Sequence, residues 1–127
     1  MEAKLVELPN LRRYRRIRVG SGYSVGFRIN GTVLRNIPIS VLGAGGCLAL
    51  LPRTVAANVH RGYLLMDFTL EHEDLQGEPF CSRVAYVTED DPQVPRESVG
   101  LGIAFLSTSL HFYEWMDSYV AAHSGDS

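Results

Sequence analysis

Val99-Gly100-Leu101-Gly102-Ile103-Ala104-Phe105-Leu106 sets bulky apolar residues between glycine and alanine, and Ser107-Thr108-Ser109 then introduces a segment of different period. Up to Phe105 every second side chain is large and apolar, the period of a strand with one face on a core. Beyond the hydroxyl cluster, Phe112, Trp115, Met116, Tyr119 and Val120 recur at helical spacing. Leu110 to His123 is therefore predicted to be an amphipathic helix, with an N-cap among the three hydroxyls and an aromatic face that seals one end of the sheet.

Upstream, the same alternation returns repeatedly. Tyr23, Val25, Phe27 and Ile29 mark a first strand, and Asn30-Gly31 is a two-residue hairpin signal. A second strand is expected from about Thr32 to Ser40. The glycine-rich Gly43-Ala44-Gly45-Gly46 gives a bend or bulge, and Cys47 to Leu51 a third strand. Pro52 to Gly62 reads as a connection, Leu64 to Leu70 as a fourth strand and Phe80 to Thr88 as a fifth, with the acidic loop Glu89-Asp90-Asp91-Pro92 after it. With Val99 to Phe105 this makes six strands, short turns and no intervening helices. The expected class is mostly β, a six-stranded antiparallel barrel followed by a C-terminal α-helix.

The totals are consistent with one domain. A chain of 127 residues that is 46% hydrophobic can bury a single core but is too short for two. No apolar run approaches the roughly 20 residues a membrane span needs, and the first residues lack a signal-peptide core. A cytoplasmic protein without membrane insertion is the expectation. Cys47 and Cys81 lack metal-type spacing and are read as reduced packing thiols. His60, His72, His111 and His123 are scattered, so no metal site is expected. No nucleophile is paired with a base at a recognisable spacing, so no catalytic residue is assigned and the chain is not expected to be an enzyme.

Charge is distributed unevenly. Five of the twelve basic residues, Arg12, Arg13, Arg15, Arg16 and Arg18, fall within seven positions, leaving seven basic against fourteen acidic residues elsewhere. Such a cluster on an otherwise acidic chain is a local anion site, not a DNA-binding surface. All five are arginine, which favours bidentate recognition of phosphate or of a guanine edge.

Two motifs stand in order on this plan: the RxxxR pair Arg12 and Arg16 before the first strand, and SxxG, Ser40-Val41-Leu42-Gly43, at the end of the second. With the glycine-rich last strand and the terminal helix, they resemble the PilZ family over about Leu11 to Ala122. Residues 1–10 are then an N-terminal flank, 11–123 the PilZ-like domain and 124–127 a tail. The resemblance implies a bacterial barrel that binds cyclic di-GMP, a second messenger, between a mobile arginine-bearing segment and a D/NxSxxG motif, and that acts on a protein partner. It needs no cofactor beyond that ligand.

By the same resemblance Arg12 and Arg16 contact phosphate and the guanine N7/O6 edge. Ser40 supplies a hydroxyl, Gly43 a point of close backbone approach, and Tyr86 an aromatic platform. Arg13 and Arg15 add attraction or further contacts. The sequence departs from the family at one point: Pro38 stands where the motif has Asp or Asn. Losing a polar base contact costs about 1–3 kcal/mol. Asn36 lies two residues earlier on the same strand face, ~7 Å away by strand rise, where a bulge at Pro38 would bring it into play. Two alternatives stay open: a PilZ-like adaptor that has lost nucleotide binding and acts by protein contacts, and a solvated arginine flank without a ligand.

Overall fold

A computed structural model describes residues 16–75, 77–89 and 94–124. Among these residues are seven strands: β1 (Arg16–Arg18), β2 (Ser24–Ile29), β3 (Thr32–Gly43), β4 (Gly46–Pro52), β5 (Leu64–Leu70), β6 (Phe80–Thr88) and β7 (Ser98–Phe105). They are joined in the order β1-β3-β2-β5-β6-β7-β4, and β3 also pairs with β4. That extra pairing closes β2 to β7 into a six-stranded antiparallel barrel, with β1 added outside the closure. Helix α1 (Arg53–Ala56) is a single turn inside the expected connection, and α2 (Leu110–Ala122) is the predicted C-terminal helix.

Closure depends on β3. Its first half pairs with β2, and its second half with β4 and β1. At twelve residues it runs three positions beyond the predicted end at Ser40. The predicted bend is instead a tight reversal, in which Gly43 faces Gly46 across Ala44-Gly45. The Asn30-Gly31 hairpin forms as expected: φ is 51° at Asn30 and 82° at Gly31, so both turn residues adopt the positive φ that a primed turn requires.

The sequence reading missed β1. Arg16-Ile17-Arg18 was expected to belong to a mobile flank, yet it alternates out-in-out and pairs residue by residue with Gly43, Leu42 and Val41. Ile17 is 7% exposed, and its burial in the core anchors the strand.

Val25, Leu42, Leu51, Leu65, Phe68, Val84 and Leu101 fill the barrel without measurable exposure. Helix α2 covers one end. The Ser109 hydroxyl accepts a hydrogen bond from the Phe112 N–H at 3.0 Å, satisfying one of the free donors of the first turn. Met116 and Val120 are fully buried, each worth about 1.5–3 kcal/mol. Phe112 continues the aromatic cluster of Phe80 and Phe105, and the Tyr23 and Tyr119 hydroxyls meet at 2.6 Å, tying the helix to the start of β2. The aromatic face thus seals the barrel as expected, except that Trp115 remains 38% exposed.

Candidate functional site

Three consecutive residues of β1 start three cross-strand rows. Ile17, Leu42, Cys47, Ile103 and Val84 face one another in register and point into the core. The rows on either side point outward. One runs Arg16, Gly43, Gly46, Ala104, Arg83; the other runs Arg18, Val41, Leu48, Gly102, Tyr86. Between its ends the first row carries only glycine and alanine, and the second carries Val41, Leu48 and Gly102. A groove of about 520 Å³ follows, with Arg16 and Arg18 on one wall and Tyr86 on the other.

The Gly-Leu-Gly-Ile-Ala run of β7 explains the floor. Alternation sends Leu101, Ile103 and Phe105 inward, which leaves Gly100, Gly102 and Ala104 on the outer face. Gly102 has a second role. A Cβ there would overlap three atoms of the Tyr86 ring, so glycine lets the ring lie against the sheet. The ring is 47% exposed, buried against the floor on one side and open on the other. One face of this aromatic ring is therefore offered to solvent across the groove from the arginines.

Two bulges set these directions. On β6 the pairing shifts between Val84 and Tyr86, and Ala85 is the extra residue. Val84 is fully buried, so strict alternation would turn Tyr86 inward as well; the bulge turns it out. On β3 the pairing with β4 shifts between Ile39 and Val41, making Ser40 the extra residue and turning Gly43 outward beneath Arg16. The SxxG spacing is thus a bulge followed by the one residue type that leaves room above it. The Ser40 hydroxyl is buried without a hydrogen-bond partner among the described residues, although the Ser40 carbonyl accepts from the Val19 N–H at 3.0 Å.

Of the residues singled out from sequence, Arg16, Gly43 and Tyr86 line the groove, and Ser40 sits at the bulge beside it. Arg12, Arg13 and Arg15 lie outside the described residues. Asn36 is brought elsewhere. A bulge does form near Pro38, but at Asn36 itself, which has φ 57° and donates its backbone N–H to Glu71 Oε1 at 2.9 Å. Glu71 also accepts from the Ser24 hydroxyl, and Asn36 does not line the groove. Pro38 stands exposed opposite Ser24. Gly46, Gly102 and Ala104, which line the groove, went unrecognised; the signal for the last two was the glycine-alanine alternation of β7. Arg83 ends the Arg16 row outside that lining.

Cys47 is buried beneath this floor, and burial pushes its thiol well above the ordinary range, so it is a packing residue as expected. Among the described residues no cluster of His, Cys, Asp or Glu could hold a metal ion. No helix among them is long and apolar enough to cross a membrane.

The sequence matches no family model and no curated protein. Solved structures do match. The PilZ domain of YcgR from Escherichia coli, determined with c-di-GMP, is similar at 19% identity over 87% of this chain and 89% of that one, with a TM-score of 0.69. MotI/DgrA, an inhibitor of motility from Bacillus subtilis, gives 15% identity and a TM-score of 0.65, over 87% of this chain and 49% of that one. MrkH, described as a c-di-GMP-dependent transcription regulatory factor, gives 18% and 0.68, over 87% and 50%. The chain therefore folds as a PilZ-like domain.

Proposed function

We propose that this domain is a receptor for cyclic di-GMP and that the groove beside β1 is its binding site. The observation that carries the reading is the opposition of Tyr86, flat over Gly102, to Arg16 and Arg18 across a floor where Gly43, Gly46, Gly102 and Ala104 stand beside Val41 and Leu48. A cyclic dinucleotide offers two flat bases and two phosphates. The aromatic wall suits a base, and the guanidinium wall suits a phosphate or a guanine edge. Arg16 and Arg18 are exposed and form no ion pair among the described residues, whereas Arg28 and Arg53 are held by Asp67 and Glu89. Structural neighbours determined with c-di-GMP add support.

In this reading Arg12, Arg13 and Arg15 bring further cationic donors to the ligand, and binding alters a surface read by a protein partner. Pro38 removes the side-chain acceptor of the family motif and lowers affinity without closing the groove. Titration calorimetry with cyclic di-GMP, with GTP and cyclic di-AMP as controls, tests the proposal. Selective binding that is lost in Arg16→Ala supports it. Absence of heat from folded protein refutes it and favours the alternative reading, an adaptor that acts through protein contacts alone.

A further inference from the structure

The outward row that begins at Arg16 ends at Arg83, across the floor and just outside the residues that line the groove. Arg83 is exposed, and among the described residues no hydrogen bond or ion pair holds its side chain. It shares the outer face of β6 with Tyr86, because the Ala85 bulge makes residues three apart point the same way. Their partners on β7, Ala104 and Gly102, are two residues apart. Arg83 and Tyr86 are therefore rooted about 7 Å from each other along the strand.

That spacing matters for a base on the Tyr86 platform. The free face of the ring is the one turned away from Gly102, so a stacked base lies parallel to the sheet and presents its edge along β6. A guanidinium rooted about one strand repeat away reaches such an edge with its two N–H groups side by side. Among the bases, guanine matches this donor pair through its adjacent O6 and N7 acceptors, whereas adenine sets a donor beside N7.

Resting on the proposed nucleotide site, we infer that Arg83 is a specificity-determining residue: it reads the O6/N7 edge of the guanine stacked on Tyr86. The arginines of β1 hold the ligand from the other wall. Selection for guanine at the Tyr86 subsite then comes from β6, which carries both the platform and the reader. Ala104, the partner of Arg83 on β7, lines the groove beside Gly102.

The test is a double-mutant cycle in which one change is made on the ligand. Affinities of the wild type and Arg83→Ala are measured by calorimetry for cyclic di-GMP and for its analogue with 7-deazaguanine bases, which lacks N7. Arg28→Ala, an exposed arginine bound to Asp67 on β5, serves as the control and should bind as the wild type does. Thermal melts verify folding. The expected result is a loss of roughly ten- to a hundredfold for cyclic di-GMP in Arg83→Ala, and a clearly smaller loss for the deaza ligand, because part of the contact is already gone.

Equal losses for both ligands would overturn the edge assignment and make Arg83 a phosphate contact. Unchanged affinity in Arg83→Ala would remove Arg83 from the site while leaving the nucleotide reading intact. Failure of the wild type to bind cyclic di-GMP would overturn both.

Discussion

Replacing Gly102 by alanine tests whether the Tyr86 ring is the working surface of the groove. The added Cβ would occupy space now filled by Cδ2, Cε2 and Cζ of Tyr86, so the ring must leave the sheet. These atoms belong to a side chain 47% exposed, and the ring swings into solvent without moving backbone. The effect on the fold is correspondingly small. Alanine in a strand gains roughly 0.5–1 kcal/mol over glycine, which offsets the lost contact between ring and sheet. A net change within about 1 kcal/mol moves the melting temperature by no more than about 4 °C.

The effect on ligand is larger. A stacked base is worth about 1–3 kcal/mol, a loss of roughly five- to 150-fold in affinity. Tyr86→Ala should lose the same amount. Combining the two should lose no more than Tyr86→Ala alone, because the added methyl then has no ring to displace. The coupling energy should match the whole effect of Gly102→Ala, about 1–3 kcal/mol. Calorimetry on the four proteins, with thermal melts alongside, gives every term. Wild-type affinity in Gly102→Ala, or losses that add in the double mutant, would refute the platform argument.

Three further outcomes are expected. Gly46→Ala should be destabilising where Gly102→Ala is not, by about 1–3 kcal/mol in denaturant titration, because its Cβ would meet the Ile103 carbonyl, part of a strand that cannot swing away. Wild-type stability in that variant would mean that the β4–β7 pairing shifts freely. Ser40→Ala removes a buried hydroxyl that has no partner among the described residues, so the unliganded protein should be unchanged or up to about 1 kcal/mol more stable, while cyclic di-GMP affinity falls. Lower unliganded stability would show that the hydroxyl holds the bulge instead. Thiol labelling of the native protein should be confined to the half-buried Cys81; Cys47 should react only on unfolding, since burial raises its thiol and blocks access. Fast labelling of both would contradict the closed barrel.

Strands β2 to β7, the Asn30-Gly31 hairpin and the capped terminal helix could all be read from sequence because each is a local pattern. Alternation assigns the buried face of a strand, and a hydroxyl before a helical period sets its start. The same rule applied to Arg16-Ile17-Arg18 would have found β1, but three residues in an arginine-rich stretch give too short a period to stand out.

The groove required the tertiary structure. Val84 and Tyr86 have the same parity, and only the extra residue Ala85, forced by pairing with β7, turns the tyrosine outward. Asn36 and Pro38 also share parity along the chain, yet the bulge ties Asn36 to Glu71, thirty-five residues away. Arg16 and Arg83 become the two ends of one row only because barrel closure stacks four register choices in series. A one-residue slip at any of them would flip a face. The sequence by itself determined which residues could be inside, since hydrophobic burial acts residue by residue. Where the outward residues meet was decided by register and bulges, which are properties of strand pairs far apart in the chain.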